Sequence, residues 1–200
     1  MEKNIVEHKF KVQREDRTQK NGHNSFLIFF TGLSGSGKST LANALEQKLY
    51  TQGVSTYILD GDNVRKGINS DLTFEPKDRS ENIRRIGEIS KLMIDAGLVV
   101  LAAFIAPYKK DREMVRKAVD ADDFIEIFVN AKLETCKTRD VKGLYAKAKK
   151  GEIKNMTGVD APYEPPQNPD VEVTCSNSIE ESVDIIYKAI VDKLQLRNDE

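Results

Sequence analysis

Residues 26–40 read FLIFFTGLSGSGKST, a run of apolar side chains that leads into a glycine-rich turn. From Gly32 to Ser39 the turn matches the pattern G-x-x-x-x-G-K-[ST], and Thr40 follows it. Between a strand and a helix, this motif surrounds phosphate oxygens with inward-facing backbone N–H groups. The stretch therefore predicts a site for a nucleoside triphosphate. The residues expected to surround its phosphates are Gly32, Leu33, Ser34, Gly35, Ser36, Gly37, Lys38, Ser39 and Thr40.

Each part of this loop has a physical role in the prediction. Glycine lets the backbone approach a phosphate closely because it has no Cβ, and the N-terminus of the following helix adds a partial positive charge. The Lys38 ammonium should reach the β- and γ-phosphates, and the Ser39 hydroxyl should bind Mg²⁺. A glycine-rich turn that matches the pattern by chance is the alternative, which the flanking strand and helix patterns disfavour.

Beyond Phe26, short apolar runs alternate with amphipathic segments of helical length. This alternation is typical of βαβ units and of a parallel sheet. Together with the phosphate loop it predicts an α/β fold of the P-loop NTPase type, with helices on both faces of a parallel sheet. The expected strands are 26–31, 56–59, 98–105, 124–129 and 171–174, and the expected helices are 38–52, 77–96, 109–121, 133–140 and 179–196.

The domain organisation is predicted to be simple. Residues 25–200 should form one domain, preceded by a partly disordered N-terminal arm of residues 1–24, which lacks sustained apolar periodicity. Residues 141–169 are long and polar for a connection, and they are rich in Lys and Pro. They predict a mobile lid that closes over bound nucleotides and excludes water. A solvated lysine-rich loop is the alternative interpretation.

Composition excludes several classes of function. The 200 residues include 31 Lys plus Arg and 32 Asp plus Glu, for a formal net charge of −1. This balance argues against the broad basic face that binds nucleic acid. The longest apolar run, residues 98–106, is far shorter than the roughly 20 residues that span a bilayer, and residues 2–20 contain no apolar segment typical of a signal peptide. We therefore expect a cytoplasmic protein without nucleic-acid or membrane partners.

The two cysteines and two histidines predict no metal or disulfide chemistry. Cys136 and Cys175 have neither metal-ligand spacing nor the density of a disulfide framework, and both are expected to be small buried side chains. His8 and His23 lie in the predicted arm and are expected at the surface.

A second set of polar residues follows the second predicted strand. Asp60 and Asp62 should lie beside the phosphate loop, because ligands of open parallel sheets bind at the carboxyl ends of the strands. Two carboxylates there can hold metal-bound water or accept a hydroxyl proton, as a kinase base does. The alternative is that Asp62 caps a helix while Asp60 is solvated.

Further along, Phe74, Arg79, Asn82, Arg84 and Arg85 cluster near the start of the long predicted helix. Guanidinium groups and an amide beside an aromatic ring are typical of a pocket for an anionic, planar-ringed acceptor. Arg84 and Arg85 point about 100° apart around the helix, so we expect at least one of them to form structural ion pairs instead.

Taken together, these motifs resemble the adenylyl-sulfate kinase family. The resemblance covers about residues 20–195. Besides the phosphate loop it rests on LDGDNVR at 59–65, RSENIRR at 79–85, FIAPY at 104–108, RDVKGLY at 139–145 and TGVDAPYE at 157–164.

The resemblance implies a reaction, a cofactor and an assembly. ATP with Mg²⁺ would phosphorylate the 3′-hydroxyl of adenosine 5′-phosphosulfate to give the 3′-phosphorylated product (PAPS) in sulfate assimilation, and the protein would be a homodimer. Lys38 and Mg²⁺ held by Ser39 and Asp60 would neutralise charge, while Asp62 would orient or deprotonate the hydroxyl. Arg139 would stack on the ATP adenine or neutralise transition-state charge. The residues implied to bind the acceptor are Arg65, Phe74, Arg79, Asn82, Ile105 (through its backbone), Lys142 and Met156.

Three positions depart from the family pattern. Ala106 replaces a serine proposed to carry a phosphoenzyme, so direct in-line transfer is expected. Met156 replaces a phenylalanine that covers the second face of the acceptor adenine, which a thioether can also do. Thr73 replaces a glycine and would be strained if that position required a positive φ.

Two other functions remain open from the sequence. One is a related small-molecule kinase with another acceptor, such as a sugar or nucleoside. The other is a nucleotide-binding protein without turnover, which the intact lysine, hydroxyl and paired aspartates disfavour. No Asn-Lys-x-Asp motif occurs, which disfavours a GTPase.

Overall fold

The computed structural model describes residues 8–195 of the chain. Five strands form one sheet in the order β2-β3-β1-β4-β5, and every neighbouring pair is parallel. This arrangement confirms the predicted α/β class. The strands are β1 (Leu27–Thr31), β2 (Thr56–Asp60), β3 (Val99–Ala103), β4 (Phe124–Asn130) and β5 (Val171–Thr174).

Eight helices occur within the described residues, and five of them lie where the periodicity predicts helices. The short α3 and α7 and the N-terminal α1 were not predicted. The helices are α1 (Arg14–Asn21), α2 (Lys38–Thr51), α3 (Gly61–Arg65), α4 (Pro76–Asp95), α5 (Lys109–Val119), α6 (Leu133–Arg139), α7 (Leu144–Lys149) and α8 (Ile179–Leu194). None of these helices is long and apolar enough to cross a membrane.

The central strand β1 is buried at all five positions because helices cover both faces of the sheet. Ile28 and Phe30 point into the cluster formed with α2 and α8, whereas Leu27 and Phe29 point into the cluster formed with α4 and α5. The alternation follows from the two-residue period of a strand. Two apolar layers therefore fix the carboxyl edge of the sheet, where the phosphate loop begins.

The segment predicted to be an arm contains α1, which is held against the domain by hydrogen bonds. Arg14 pairs with Asp123, and the Asn21 side chain donates to the Gly97 carbonyl. His23 is buried, where Nε2 accepts a hydrogen bond from the Ser55 backbone at 2.9 Å, so its predicted surface position is wrong. Residues 1–7, and the disorder predicted there, lie outside the described residues.

Candidate active site

The phosphate loop connects β1 to α2, and its glycines are required by close backbone approach. A Cβ at Gly32 would lie 2.6 Å from the Val129 carbonyl oxygen, and one at Gly35 would lie 3.0 Å from that of Cys136. Gly35 also has a positive φ of 75°. A larger residue would clash with backbone at Gly32, whereas at Gly35 it would combine a tight contact with a backbone conformation that favours glycine.

Lys38 folds back over the loop. Its Nζ donates hydrogen bonds to the carbonyls of Gly32 at 3.0 Å and Leu33 at 2.7 Å. Burial lowers the pKa of Lys38 to about 8, because removing the ammonium from water disfavours its charged form. Two carbonyl oxygens are weak partners for this charge, so a polyphosphate would be a better one.

The side chains of Ser39, which follows Lys38 in the phosphate loop, and Asp60, the last residue of β2, form a hydrogen bond. Ser39 Oγ donates to Asp60 Oδ2 at 2.6 Å, and the Asp62 backbone N–H donates to Asp60 Oδ1 at 3.0 Å. Asp60 is thus the N-cap of α3, contrary to the alternative in which Asp62 capped the helix and Asp60 was solvated. A hydroxyl beside a carboxylate suits Mg²⁺, which takes one or two protein oxygens together with water and substrate phosphates. The residues present therefore fit a magnesium ion.

The second carboxylate contacts the lid. Asp62 forms an ion pair with Lys142, and both side chains are more than half exposed. The two residues lie 80 positions apart in the sequence. The contact brings the start of the lid to the carboxylate that the sequence predicts as the base.

The Phe74 ring is 60% exposed and also lines the site. The Arg65 guanidinium stacks on the ring, with Cζ 4.4 Å from the ring centroid, and donates to the Leu72 carbonyl at 2.9 Å. Arg65 therefore supports Phe74 from one face. The geometry favours this role over the predicted contact with an acceptor anion.

Arg79 connects α4 to the lid. Its guanidinium donates to the Phe74 carbonyl at 2.8 Å and to Thr157 Oγ1 at 2.8 Å, and it also bonds the Asn155 carbonyl. Since Nε and both terminal nitrogens have partners, Arg79 holds the second half of the lid in place. It still lines the cavity described below.

The next two arginines of the cluster lie outside the cavity. Arg84 pairs with Glu81 and Glu88, and Arg85 pairs with Asp71 and Glu81. Hydrogen bonds from both arginines lower the pKa of Glu81 to about 2. At least one of these arginines was predicted to form structural ion pairs, and both of them do.

The lid packs against the phosphate loop through a small apolar cluster. Tyr145 and Met156 are buried there beside Cys136, with Leu33 of the loop packed against them. The Tyr145 hydroxyl donates to the Ser34 carbonyl at 2.9 Å, and burial raises the pKa of Tyr145. This packing disfavours a simple solvated loop. It also corrects the expectation for Met156, which lies in the lid's own core and does not line the cavity.

The two other departures from the family pattern have local explanations. Thr73 does not have a positive φ, and its Oγ1 donates to Asp78 Oδ2 at 2.6 Å, which fixes the turn before α4. Ala106 does adopt a left-handed φ of 43°, and its carbonyl accepts a hydrogen bond from Arg112 Nη1 at 2.8 Å. Thr73 is therefore unstrained, whereas Ala106 holds a conformation that usually favours glycine.

One cavity of about 580 Å³ is lined by the phosphate loop, the residues after β2, the start of α4 and the start of the lid. The carboxyl end of β5 also contributes to it, which the sequence analysis missed although ligands of such sheets bind at this edge. Cys175, which directly follows β5, is exposed, so its predicted burial is wrong. Cys136 is buried, as expected. The predicted residues that line the cavity are Ser34–Thr40, Asp60, Asp62, Arg65, Phe74, Arg79, Asn82, Ile105, Arg139 and Lys142, and the residues that prediction missed include Thr174, Cys175, Asn177 and Ser178.

A parallel α/β domain with this loop, a carboxylate pair after the next strand and a lid over the cleft defines a P-loop phosphotransferase. The family model for adenylylsulphate kinase matches residues 24–174. The chain belongs to this family, as its motifs indicated.

Individual relatives agree over nearly the full length. The adenylyl-sulfate kinase of Oceanobacillus iheyensis is 56% identical over 191 residues, covering 95% of this chain and 96% of that protein. The enzyme of Prochlorococcus marinus is 53% identical, with 94% of each chain covered. The structure of the Mycobacterium tuberculosis APS kinase in complex with AMPPNP and APS is 45% identical, with a TM-score of 0.81 over 84% of this chain and 98% of that one.

Proposed function

We propose that this chain transfers the γ-phosphoryl group of ATP to the 3′-hydroxyl of adenosine 5′-phosphosulfate, releasing ADP and the 3′-phosphorylated product. The observation that carries this proposal is the shared cavity, which contains the phosphate loop, the Asp62 carboxylate, and Phe74 with Asn82. A cavity of about 580 Å³ lies in the usual range of roughly 300–1,000 Å³ for ligand sites.

The reaction requires one proton transfer and one displacement. Asp62 takes the proton of the 3′-hydroxyl, the ribose oxygen bonds to the γ-phosphorus, and the bond to the bridging oxygen of ADP breaks. Lys38 stabilises the charge that develops on the phosphates. Because Ala106 has no hydroxyl, the phosphoryl group passes directly to the acceptor, and catalysis comes from positioning and electrostatics.

Ser39 and Asp60 would hold the magnesium ion, which supplies charge neutralisation on the phosphates when it is bound. Their side chains already lie within hydrogen-bond distance of each other, at 2.6 Å. The chain therefore brings both ligands to the edge of the phosphate loop without a large rearrangement.

The two nucleotide bases would occupy opposite ends of the cavity. The ATP base would fit between Arg139, which donates to the Ser36 carbonyl at 3.3 Å, and the residues after β5. The acceptor base would stack on the exposed part of the Phe74 ring, which the Arg65 and Arg79 guanidinium groups also contact, at 4.4 and 5.8 Å from the ring centroid. Lys142 would leave Asp62 for the anionic acceptor as the hydroxyl arrives. Ile105, whose backbone would contact the acceptor, also lines the cavity.

A direct assay tests this function. The purified chain is incubated with ATP, Mg²⁺ and adenosine 5′-phosphosulfate, and the 3′-phosphorylated product and ADP are measured by chromatography. Lys38→Ala should abolish turnover. Asp62→Asn should lower kcat at least 100-fold while ATP affinity, measured by calorimetry, stays within about threefold. Unchanged turnover in Asp62→Asn would remove this residue from the mechanism.

The same assay separates the alternatives. Turnover with a sugar or nucleoside, but not with adenosine 5′-phosphosulfate, would indicate a kinase with another acceptor. ATP binding without ADP release for any acceptor would indicate a protein without turnover. Assembly as a homodimer, a cytoplasmic location and the lack of nucleic-acid partners remain predictions.

A further inference from the structure

Two buried amide side chains meet behind the acceptor end of the cavity. Asn69 is fully buried in the turn after α3, and Asn82, on α4, is 5% exposed. Asn69 Nδ2 donates a hydrogen bond of 3.0 Å to Asn82 Oδ1. Asn82 lines the cavity, whereas Asn69 does not. Among the described residues, the one side-chain hydrogen bond of Asn69 is to Asn82, which lines the cavity.

This contact determines which end of the Asn82 amide is available to a ligand. A carboxamide has an acceptor oxygen at one end and a donor NH₂ group at the other. The oxygen already accepts a hydrogen bond from Asn69, which holds it on the side away from the NH₂ group. Within the described residues, Asn82 Nδ2 makes no hydrogen bond. It is not fully buried either, so a ligand can reach it. Asn82 therefore presents a donor to the cavity.

The burial of Asn69 is not explained by packing alone. Its Oδ1 atom is buried without a hydrogen-bond partner among the described residues. A buried polar atom in this state is unfavourable, so an apolar side chain of similar volume would fill the position at lower cost. The polar side chain at this position is explained if its Nδ2 group is needed to orient Asn82.

We propose that Asn69 is a positioning residue that fixes the Asn82 amide with its NH₂ group toward the acceptor nucleotide, where it donates a hydrogen bond to an oxygen or ring nitrogen. This inference rests on the proposed function and extends it. Asn69 itself touches neither substrate. Its loss should weaken acceptor binding and leave ATP binding unaffected.

Two substitutions at position 69 test the orientation. Asn69→Leu removes the donor at similar volume, so the Asn82 amide can rotate, and we expect the KM for adenosine 5′-phosphosulfate to rise about three- to tenfold. Asn69→Asp offers only acceptor oxygens when ionised, which would turn the Asn82 NH₂ group away from the cavity, and we expect a rise of tenfold or more. The KM for ATP should change less than twofold in both variants.

Ser90→Ala is the matched control. Ser90 lies on the same helix as Asn82, is fully buried, and also has an unpartnered polar atom, Oγ, but it does not line the cavity. Removing this hydroxyl should leave both KM values unchanged. A rise in the acceptor KM of Ser90→Ala equal to that of Asn69→Leu would indicate a general packing effect and would overturn the proposal.

A double-mutant cycle with Asn82→Ala gives the decisive comparison. If Asn69 acts only through Asn82, Asn69→Leu should add nothing to the acceptor KM of Asn82→Ala. Additive effects, an unchanged acceptor KM in Asn69→Leu, or an equal rise in the ATP KM would each reject the inference. If the unsubstituted chain binds the acceptor without turnover, the proposed function fails. In that case the dissociation constants of the acceptor, measured by calorimetry for the same variants, replace the KM values in the comparison.

Discussion

Lys142, at the start of the lid, forms an ion pair with Asp62, the carboxylate that follows β2. The start of this segment therefore contacts the residue proposed to accept the acceptor's proton. Since Tyr145, three residues further on, bonds the phosphate loop, one short stretch of the lid contacts both halves of the reaction centre.

Removing the Lys142 charge should impair the acceptor half of the reaction. In Lys142→Met we expect kcat/KM for the acceptor to fall about 10- to 100-fold, because the variant lacks the cation that stabilises the anionic acceptor and the charge developing on the phosphoryl group. The affinity for ATP should change less than threefold. Steady-state kinetics in both substrates and calorimetry with ATP measure this. Lys147→Met is the matched control, because Lys147 is exposed and does not line the cavity. An equal fall of kcat/KM in the two variants would show that the effect comes from the total positive charge of the lid and is not specific to Lys142.

ATP binding should weaken as the pH rises through about 8. Burial lowers the pKa of Lys38 from 10.5 to about 8, so below this pH the free protein carries the ammonium that binds phosphate, and above it the side chain is neutral. Bound ATP favours the charged form, so binding should take up a proton at high pH and the Kd should rise up to tenfold per pH unit. Calorimetry between pH 7 and 9.5 in buffers of different ionisation enthalpy tests this. Lys38→Arg, which stays charged, should lack the dependence.

How much of this site can be predicted from sequence depends on the range of the interactions. The phosphate loop and β1 were predictable because both the motif and the apolar run lie within 15 consecutive residues. By contrast, α1 is very polar, and contacts such as Arg14 with Asp123, 109 positions away, hold it in place. No local periodicity encodes a hydrogen bond of that kind.

The lid illustrates the same limit for apolar and charged residues. Met156 has the chemistry to cover a nucleotide base or to fill a core, and only the folded lid, where it lies with Tyr145 and Cys136, distinguishes the two. Similarly, Arg79 has the chemistry to bind an anion, but its partners Asn155 and Thr157 come from the lid. Residue type therefore predicts the possible interactions, and tertiary contacts select among them.

The two cysteines provide a test of the ATP site. Cys175 is exposed and lines the cavity after β5, whereas Cys136 is buried and burial raises the pKa of its thiol. We expect a maleimide to label one thiol rapidly, and MgATP to slow that labelling at least fivefold because the nucleotide base covers it. Mass spectrometry locates the label, and Cys175→Ser should lose the fast phase. Labelling that MgATP does not slow would place the ATP base elsewhere.

Direct transfer can be tested at Ala106, which combines a left-handed φ of 43° with a place on the cavity wall. Ala106→Ser restores the hydroxyl of the family pattern, and we expect kcat to change less than threefold, with no phosphorylated protein after incubation with radiolabelled ATP. Ala106→Gly is the matched control, because glycine adopts this φ without strain and cannot be phosphorylated. If Ala106→Ser gained more than tenfold in kcat and trapped label while Ala106→Gly did neither, a covalent route through position 106 would be favoured over direct attack by the ribose hydroxyl.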